Sequence, residues 1–424
     1  MAFGVGKMAF GVGKMANGRK CVVREPNPDT TGFTSIIPIL LTRPQDWRSG
    51  RRKTIPWTAL RFADSRLSCL LTFWAFDIIL DILNRQPVKA VHDVQITSFE
   101  SILLLMMNTK TPSFESLPLQ KDGPRGNAWG LFGKDDQLGM LNRLTPETTI
   151  AATKEIVHGI RIATDWSMDQ PKTPCFNRQP LHQRIHHKAP RTVNDDIITL
   201  NTQTSTQWDG FRHFGYQDHK VYFNGCKQDE IHNSTRNGLQ VWVENGGVVG
   251  RGVLLDYASW AESQGRTVLT HEYNPIPLSD LKKVAEAQSV TFKPSDILFI
   301  RTGYVRNANS SSHEEASAYA NQPGGVSAIG VESCEEVLRW LWENEFAAVA
   351  GDQPAFEALP FNSTTHWLHE WLLAGWGLPI GELFDLEKLA IACKQYNKYT
   401  FFFSSMPVHV PGGVASPPNG VAIL

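Results

Sequence analysis

The stretch Ile297-Leu-Phe-Ile-Arg301, followed by the helical pattern Val331–Glu343 and then Ala347-Ala-Val-Ala350, decides the fold. Two short apolar runs rich in strand-forming residues are separated by a segment whose apolar positions recur with helical period. That alternation is the signature of an α/β domain. Working outward, Gly252-Val-Leu-Leu-Asp-Tyr257, Ile197–Leu200 and Tyr399–Phe403 add further strands. Leu278–Gln288, His366–Leu373 and Leu386–Tyr396 add helices between them. At the start of this region Thr145-Pro146-Glu147 reads as a helix N-terminus, with Thr as the cap and Pro in the first turn, and Gly159 as its end. The expectation is one α/β domain over 112–424, with a mixed sheet and covering helices.

Residues 1–111 read differently. They hold 15 Lys and Arg against 8 Asp and Glu, whereas 112–424 hold 26 against 34. The chain opens with MAFGVGK twice in succession, which is too short and glycine-rich for a signal segment. The apolar run Leu67–Leu83 is interrupted by Asp77 and Asp81 and is shorter than the ~20 residues a spanning helix needs. An amphipathic helix in an irregular, dispensable N-terminal extension is the expectation.

A net charge of −1 over 424 residues offers no bulk field for nucleic acid or an anionic membrane surface. The six cysteines are scattered and form no CxxC, which argues against a zinc ribbon or a redox pair and fits a reducing compartment, the cytoplasm by default. Gly246-Gly-Val-Val-Gly-Arg-Gly252 precedes a strand rather than following one. It therefore lacks the strand–glycine–helix order of a dinucleotide site, and no nucleotide cofactor is expected.

The chemistry gathers in Gln203-Thr-Ser-Thr-Gln207-Trp-Asp209-Gly-Phe-Arg-His213. Gln203, Gln207, Asp209 and His213 are all odd-numbered, so an extended chain presents them on one side. A carboxylate, an imidazole and two amides converging there would bind a metal or activate water. The plainer reading is a polar loop with an ordinary histidine. A second cluster, His366-Trp-Leu-His369-Glu370, with Glu382 beyond it, spaces its groups as a helix face but is not the HExxH of zinc proteases. Its plainer reading is a helix with solvated histidines.

These segments carry a resemblance. Asn127-Ala-Trp-Gly-Leu-Phe-Gly-Lys-Asp-Asp-Gln-Leu-Gly-Met-Leu-Asn142, Gln207–His213, Gly351-Asp-Gln-Pro-Ala-Phe-Glu357 and Leu372-Leu-Ala-Gly-Trp-Gly-Leu-Pro-Ile-Gly-Glu382 together resemble the cyclase family of bacterial kynurenine formamidases and isatin hydrolases, in a eukaryotic, largely fungal branch. The resemblance implies a swivelling β/β/α fold and a homo-oligomer acting on a small molecule. It also implies metal ligands at Gln203, Gln207, Asp209, His369 (with His366 as fallback) and Glu382, and a proton shuttle at His213. Two of those ligand positions, histidine in the family, are glutamine here. An oxygen-rich set favours one divalent ion, manganese or magnesium ahead of zinc. The expected reaction is hydrolysis of an amide, lactone or ester-like bond, or the related cyclisation. The alternatives are a metal-free dehydratase or isomerase using Asp209 and His213, and a non-catalytic ligand-binding paralogue. Trp208, Phe211, Phe214 and Trp376 are candidate walls for an aromatic or polyketide-like substrate, although ordinary core is the plainer reading of each.

Overall fold

The structure, a computed structural model, describes residues 111–363 and 365–424. The expectations for the N-terminal extension, including the Leu67–Leu83 helix, lie outside the described residues apart from Thr111. Among the described residues no helix is long and apolar enough to cross a membrane.

The strands in chain order are β1 (Arg161–Ala163), β2 (His182–His187), β3 (Asn194–Thr199), β4 (Gln207–Asp209), β5 (Val248–Asp256), β6 (Asn274–Ile276), β7 (Ile297–Arg301), β8 (Ile329–Val331), β9 (Ala348–Gly351), β10 (Ile380–Glu382), β11 (Thr400–Ser405), β12 (Ala415–Ser416) and β13 (Gly420–Ile423). Nine of them form one mixed sheet in the order β1-β13-β11-β5-β7-β9-β10-β4-β12. Its centre, β5-β7-β9-β10, is parallel, and both flanks are antiparallel. The parallel strands are the apolar runs of the sequence because they are covered on both faces. Val253 to Leu255 and Ile297 to Ile300 are fully buried. The α/β expectation is met: helices Leu278–Ala287, Glu335–Glu343 and Glu387–Tyr396 turn their buried positions to this core.

Three elements differ from the sequence reading. Thr145 does cap its helix, its Oγ1 accepting from the Thr148 amide at 3.3 Å, but the helix ends at Ala152 and not near Gly159. The following turn, Thr153–Glu155, draws Glu155 into a cluster with Arg251 (2.9 Å), Lys398 (2.7 Å) and Thr400 (2.6 Å), which redirects the chain. The run Ile197–Leu200 belongs to a separate β2–β3 hairpin, not to the large sheet. The helix expected at His366–Leu373 is chiefly a π-helix, Glu370–Trp376. Its widened turns are held from outside: the Trp129 Nε1 donates to the Ala374 carbonyl at 2.7 Å and the Ala128 amide to Gly375 at 2.9 Å.

The Glu155 cluster gives a stability prediction. Burial alone would raise this carboxyl, but Lys398, Thr400 and Arg251 together hold it down at about 2. A depressed carboxyl stabilises the fold at pH above its unfolded value and loses that contribution as pH falls through the folded value. Glu155→Gln is therefore expected to lower unfolding free energy by about 2 kcal/mol at pH 7. In urea denaturation the gap should narrow steadily below about pH 4.5. An equal gap at pH 7 and pH 3 would refute it.

Candidate active site

The site forms where β4 and β10 run side by side. Their register sets Glu382 opposite Gln207 and Ile380 opposite Asp209. Directly opposed residues share a face of the sheet, so Gln207 and Glu382 meet, and the Gln207 Nε2 donates to Glu382 Oε2 at 2.7 Å. Asp209, two residues on, points the same way and is fully buried. The Gln203 Nε2 donates to Asp209 Oδ1 at 2.5 Å. The chain then turns, with the His213 amide bonded to the Gly210 carbonyl, and returns the His213 imidazole to within 3.9 Å of Asp209 Oδ2.

His369 arrives from the start of the π-helix, buried, with its Nε2 3.2 Å from Glu382 Oε1 and 3.9 Å from Asp209 Oδ2. Asp209, His213 and His369 each offer a ligand atom, all within 4.8 Å of one another. The side chain that orients His369 is Glu357, which sequence reading did not select. Its Oε2 lies 2.7 Å from His369 Nδ1, and its Oε1 accepts the His369 amide at 3.1 Å. Glu357 is fully buried and its backbone is fixed against β8, where Ala358 donates to the Val331 carbonyl at 3.0 Å. Gly330 permits that approach, since a Cβ there would fall 2.2 Å from the Glu357 carbonyl carbon.

Electrostatics follow from this crowding. Burial, reinforced by the Asp209 charge, pushes the Glu382 carboxyl up to about 7. Burial opposes a charge on His369, but Glu357 and Glu382 outweigh it and hold its pKa well above the ordinary value. Burial lowers the pKa of His213, Asp209 pulls the other way, and His369 and Arg178 add to the lowering. His213 is thus the neutral imidazole of the pair and the more exposed one, at 21%.

The other expected residues separate. Phe214 stays at the site, its ring 5.3 Å from that of His369 and 5.0 Å from Trp367. Trp208, Phe211 and Trp376 do not wall a pocket. Trp208 projects from the opposite face of β4 onto Phe384 and Phe403, with its Nε1 bonded to Ser405. Phe211 packs on Phe223 and Trp242, and Trp376 on Trp342 and Trp371. All three are at most 2% exposed. Gln203 stands behind Asp209, its Oε1 also facing the Gln207 amide at 3.4 Å, so it orients the carboxylate instead of presenting a free ligand oxygen. The fallback His366 sits apart, beside Trp371 at 6.4 Å.

No curated protein matches this chain. Among solved structures, one described as a novel cyclase is 29% identical, covers 70% of this chain and 99% of its own, and superposes with a TM-score of 0.63. Isatin hydrolase A from Ralstonia solanacearum is similar at 14% identity, over 66% of this chain and 97% of its own, with a TM-score of 0.47. A "predicted metal-dependent hydrolase" from Bacillus stearothermophilus aligns at 16% identity over 62% and 97%, with a TM-score of 0.37. The family model described as "Putative cyclase" matches residues 117–358, more than half of the chain, and the chain belongs to that cyclase family.

Proposed function

We propose that this chain is a hydrolase that opens a small amide, lactone or ester-like bond, with C–N cleavage foremost, aided by one divalent cation at Asp209. The observation that carries this reading is the surroundings of Asp209. A fully buried carboxylate has one oxygen, Oδ2, without a hydrogen-bond partner, and two imidazole nitrogens stand 3.9 Å from it. Gln207 Oε1 is likewise buried and unpartnered. Three carboxylates at most 2% exposed (Asp209, Glu357 and Glu382) surround the single imidazolium His369. Buried charge of one sign calls for a cation. The donor set fits one: Asp209, Gln207 and Glu382 would supply oxygens, and His369, giving up its Nε2 proton as the ion binds, would supply that nitrogen while its Nδ1 donates to Glu357, an arrangement common among metal-ligating histidines. Oxygen donors in the majority favour manganese or magnesium over zinc.

Bound there, the ion would polarise a substrate carbonyl and acidify a water. The chain's own part is proton transfer and orientation. Neutral His213 takes the proton of the water whose oxygen adds to the carbonyl carbon. When the C–N or C–O bond breaks, His213 returns that proton to the departing nitrogen or oxygen. Phe214 packs edge-on against the His369 ring, and Trp367 edge-on against Phe214. The wider reading is a cytoplasmic, homo-oligomeric enzyme of the fungal-type branch acting on a small molecule, without nucleic acid, membrane or nucleotide cofactor. Its support is the near-neutral charge and the Asn127–Asn142 segment that braces the π-helix.

Calorimetric titration of the full chain with Mn²⁺, Mg²⁺ and Zn²⁺, alongside turnover of aryl formamides and aryl lactones, tests the proposal. No binding by any of the three ions sinks the metal role. The closed network Gln203–Asp209, Gln207–Glu382 and His369–Glu382 favours a second reading, a metal-free acid–base site. Turnover that survives exhaustive chelation would select it. Glu357→Gln is expected to weaken Mn²⁺ binding roughly 10- to 100-fold, because an amide no longer fixes the His369 tautomer. Unchanged affinity would remove Glu357 from the site.

A further inference from the structure

We infer that Glu370 is a positioning residue of this site: from the first turn of the π-helix it clamps the loop that carries His213, and so sets that imidazole against His369. The turnover part of the inference rests on the hydrolase reading above; the geometric part does not.

A general base is ordinarily oriented by a third group bonded to it. His369 has such a group in Glu357. The His213 ring has none among the described residues, the closest carboxylate oxygen, on Asp209, being 3.9 Å away. Its place is set by the backbone it hangs from and by the rings of Phe214 and His369, 6.2 Å and 6.4 Å from its own. That backbone leaves the sheet at Gly210, whose amide donates to the Val414 carbonyl at 3.0 Å. It then runs through His213 and Phe214 to Tyr216 and Gln217, and its far end is fastened to the π-helix. Glu370 Oε1 accepts the Gln217 amide at 2.9 Å. Tyr216, 2% exposed, brings its hydroxyl against Gly375, where a Cβ would fall 2.6 Å from that oxygen. The same hydroxyl donates to the Arg125 carbonyl at 2.8 Å. Glu370 adjoins His369 in the chain, so its bond to Gln217 ties the segment of one histidine to the segment of the other.

The acceptor is a charge for a reason. Glu370 is buried, and an ionised acceptor bonds an N–H more strongly than a neutral one. Arg125 Nη2, 3.7 Å from Oε2, supplies compensating charge. Burial raises the Glu370 pKa, and the Gln217 amide is foremost among the contacts that pull it back, so this bond favours the charged form. Gln217 is itself exposed. Water therefore takes up its amide once the carboxylate is gone, and the loop comes loose without leaving a buried donor unpaired.

The test uses the full chain with Mn²⁺ and an aryl formamide. Glu370→Ala should lower kcat roughly 10- to 100-fold, as for a reacting group displaced by about an ångström, with KM and Mn²⁺ affinity held within about threefold. Glu370→Gln keeps an oxygen at the same reach and should restore most of the loss. Glu370→Asp keeps the charge at shorter reach and should not. A second readout needs no turnover: carbethoxylation of His213 by diethyl pyrocarbonate, followed by peptide mass spectrometry with the exposed His158 as internal reference. The alanine and aspartate variants should speed it several-fold and the glutamine variant should leave it as in wild type. Should the alanine variant fail to fold in thermal melts, the aspartate and glutamine variants decide. A glutamine variant as impaired as the aspartate one, or KM and Mn²⁺ affinity worsening in step with kcat, overturns the inference. So does an unchanged rate of His213 modification in the aspartate variant. Faster modification of His213 in the aspartate but not the glutamine variant, in a protein that turns over no formamide, would uphold the positioning role and fail the hydrolase reading alone.

Discussion

Replacing His213 by alanine lowers kcat by roughly 10²- to 10⁴-fold, the range for loss of a positioned proton carrier. Stability should hardly move. The ring is 21% exposed and its nearest charged neighbour, Asp209 Oδ2, stands at 3.9 Å, beyond hydrogen-bond range. His213 must be neutral to accept a proton. Burial lowers its pKa and Asp209 only partly offsets that, so the neutral form persists below the ordinary value near 6.5. The acid limb of kcat/KM for wild type should thus lie below about pH 6.5 and vanish from the residual activity of the variant. The decisive measurement is the pair of pH profiles together with Mn²⁺ affinity. A variant that keeps the ion but loses turnover identifies a proton carrier. Loss of the ion in parallel would identify a ligand, and full turnover would end the assignment.

How far the sequence disclosed this site depended on the kind of interaction. The parallel strands β5, β7 and β9 were legible because burial on both faces demands continuous apolar runs. Odd-numbered spacing correctly grouped Gln207 with Asp209, and the same alternation carried Trp208 to the opposite face. Hydropathy cannot separate a pocket wall from core: Trp208, Phe211 and Trp376 take the core reading that is the plainer one for each, while Phe214 lies beside His369. The meeting of Asp209 with His369 and Glu382 is a matter of strand register across 175 residues of chain, visible beforehand only through family resemblance. Glu357 escaped altogether. Nothing local marks a carboxylate whose partner is a histidine 12 residues further on, held by a β8 contact. The one sequence clue was an acidic residue at the end of an otherwise apolar Pro-Ala-Phe segment, where burial is expected and charge is not.

Asp209→Asn should separate function from folding most sharply. The substitution keeps the volume of the side chain and an oxygen able to accept the Gln203 amide. It removes the negative charge between two imidazoles. A neutral amide oxygen is a poor ligand, so Mn²⁺ affinity should fall more than about 100-fold and turnover by about 10³-fold or more. Folding should respond in the opposite direction. Asp209 is one of the causes that raise the Glu382 carboxyl to about 7, so removing it relieves repulsion between two buried acids. Unfolding free energy is expected to hold or to rise by about 1 kcal/mol, the gain typical when a strained functional charge is neutralised. A residue kept for packing or for a structural ion pair would behave in reverse, losing several kcal/mol on substitution. Chemical denaturation, manganese titration and turnover on the same preparation therefore give a combined outcome that a merely structural Asp209 could not produce. Turnover within tenfold of wild type would refute the assignment.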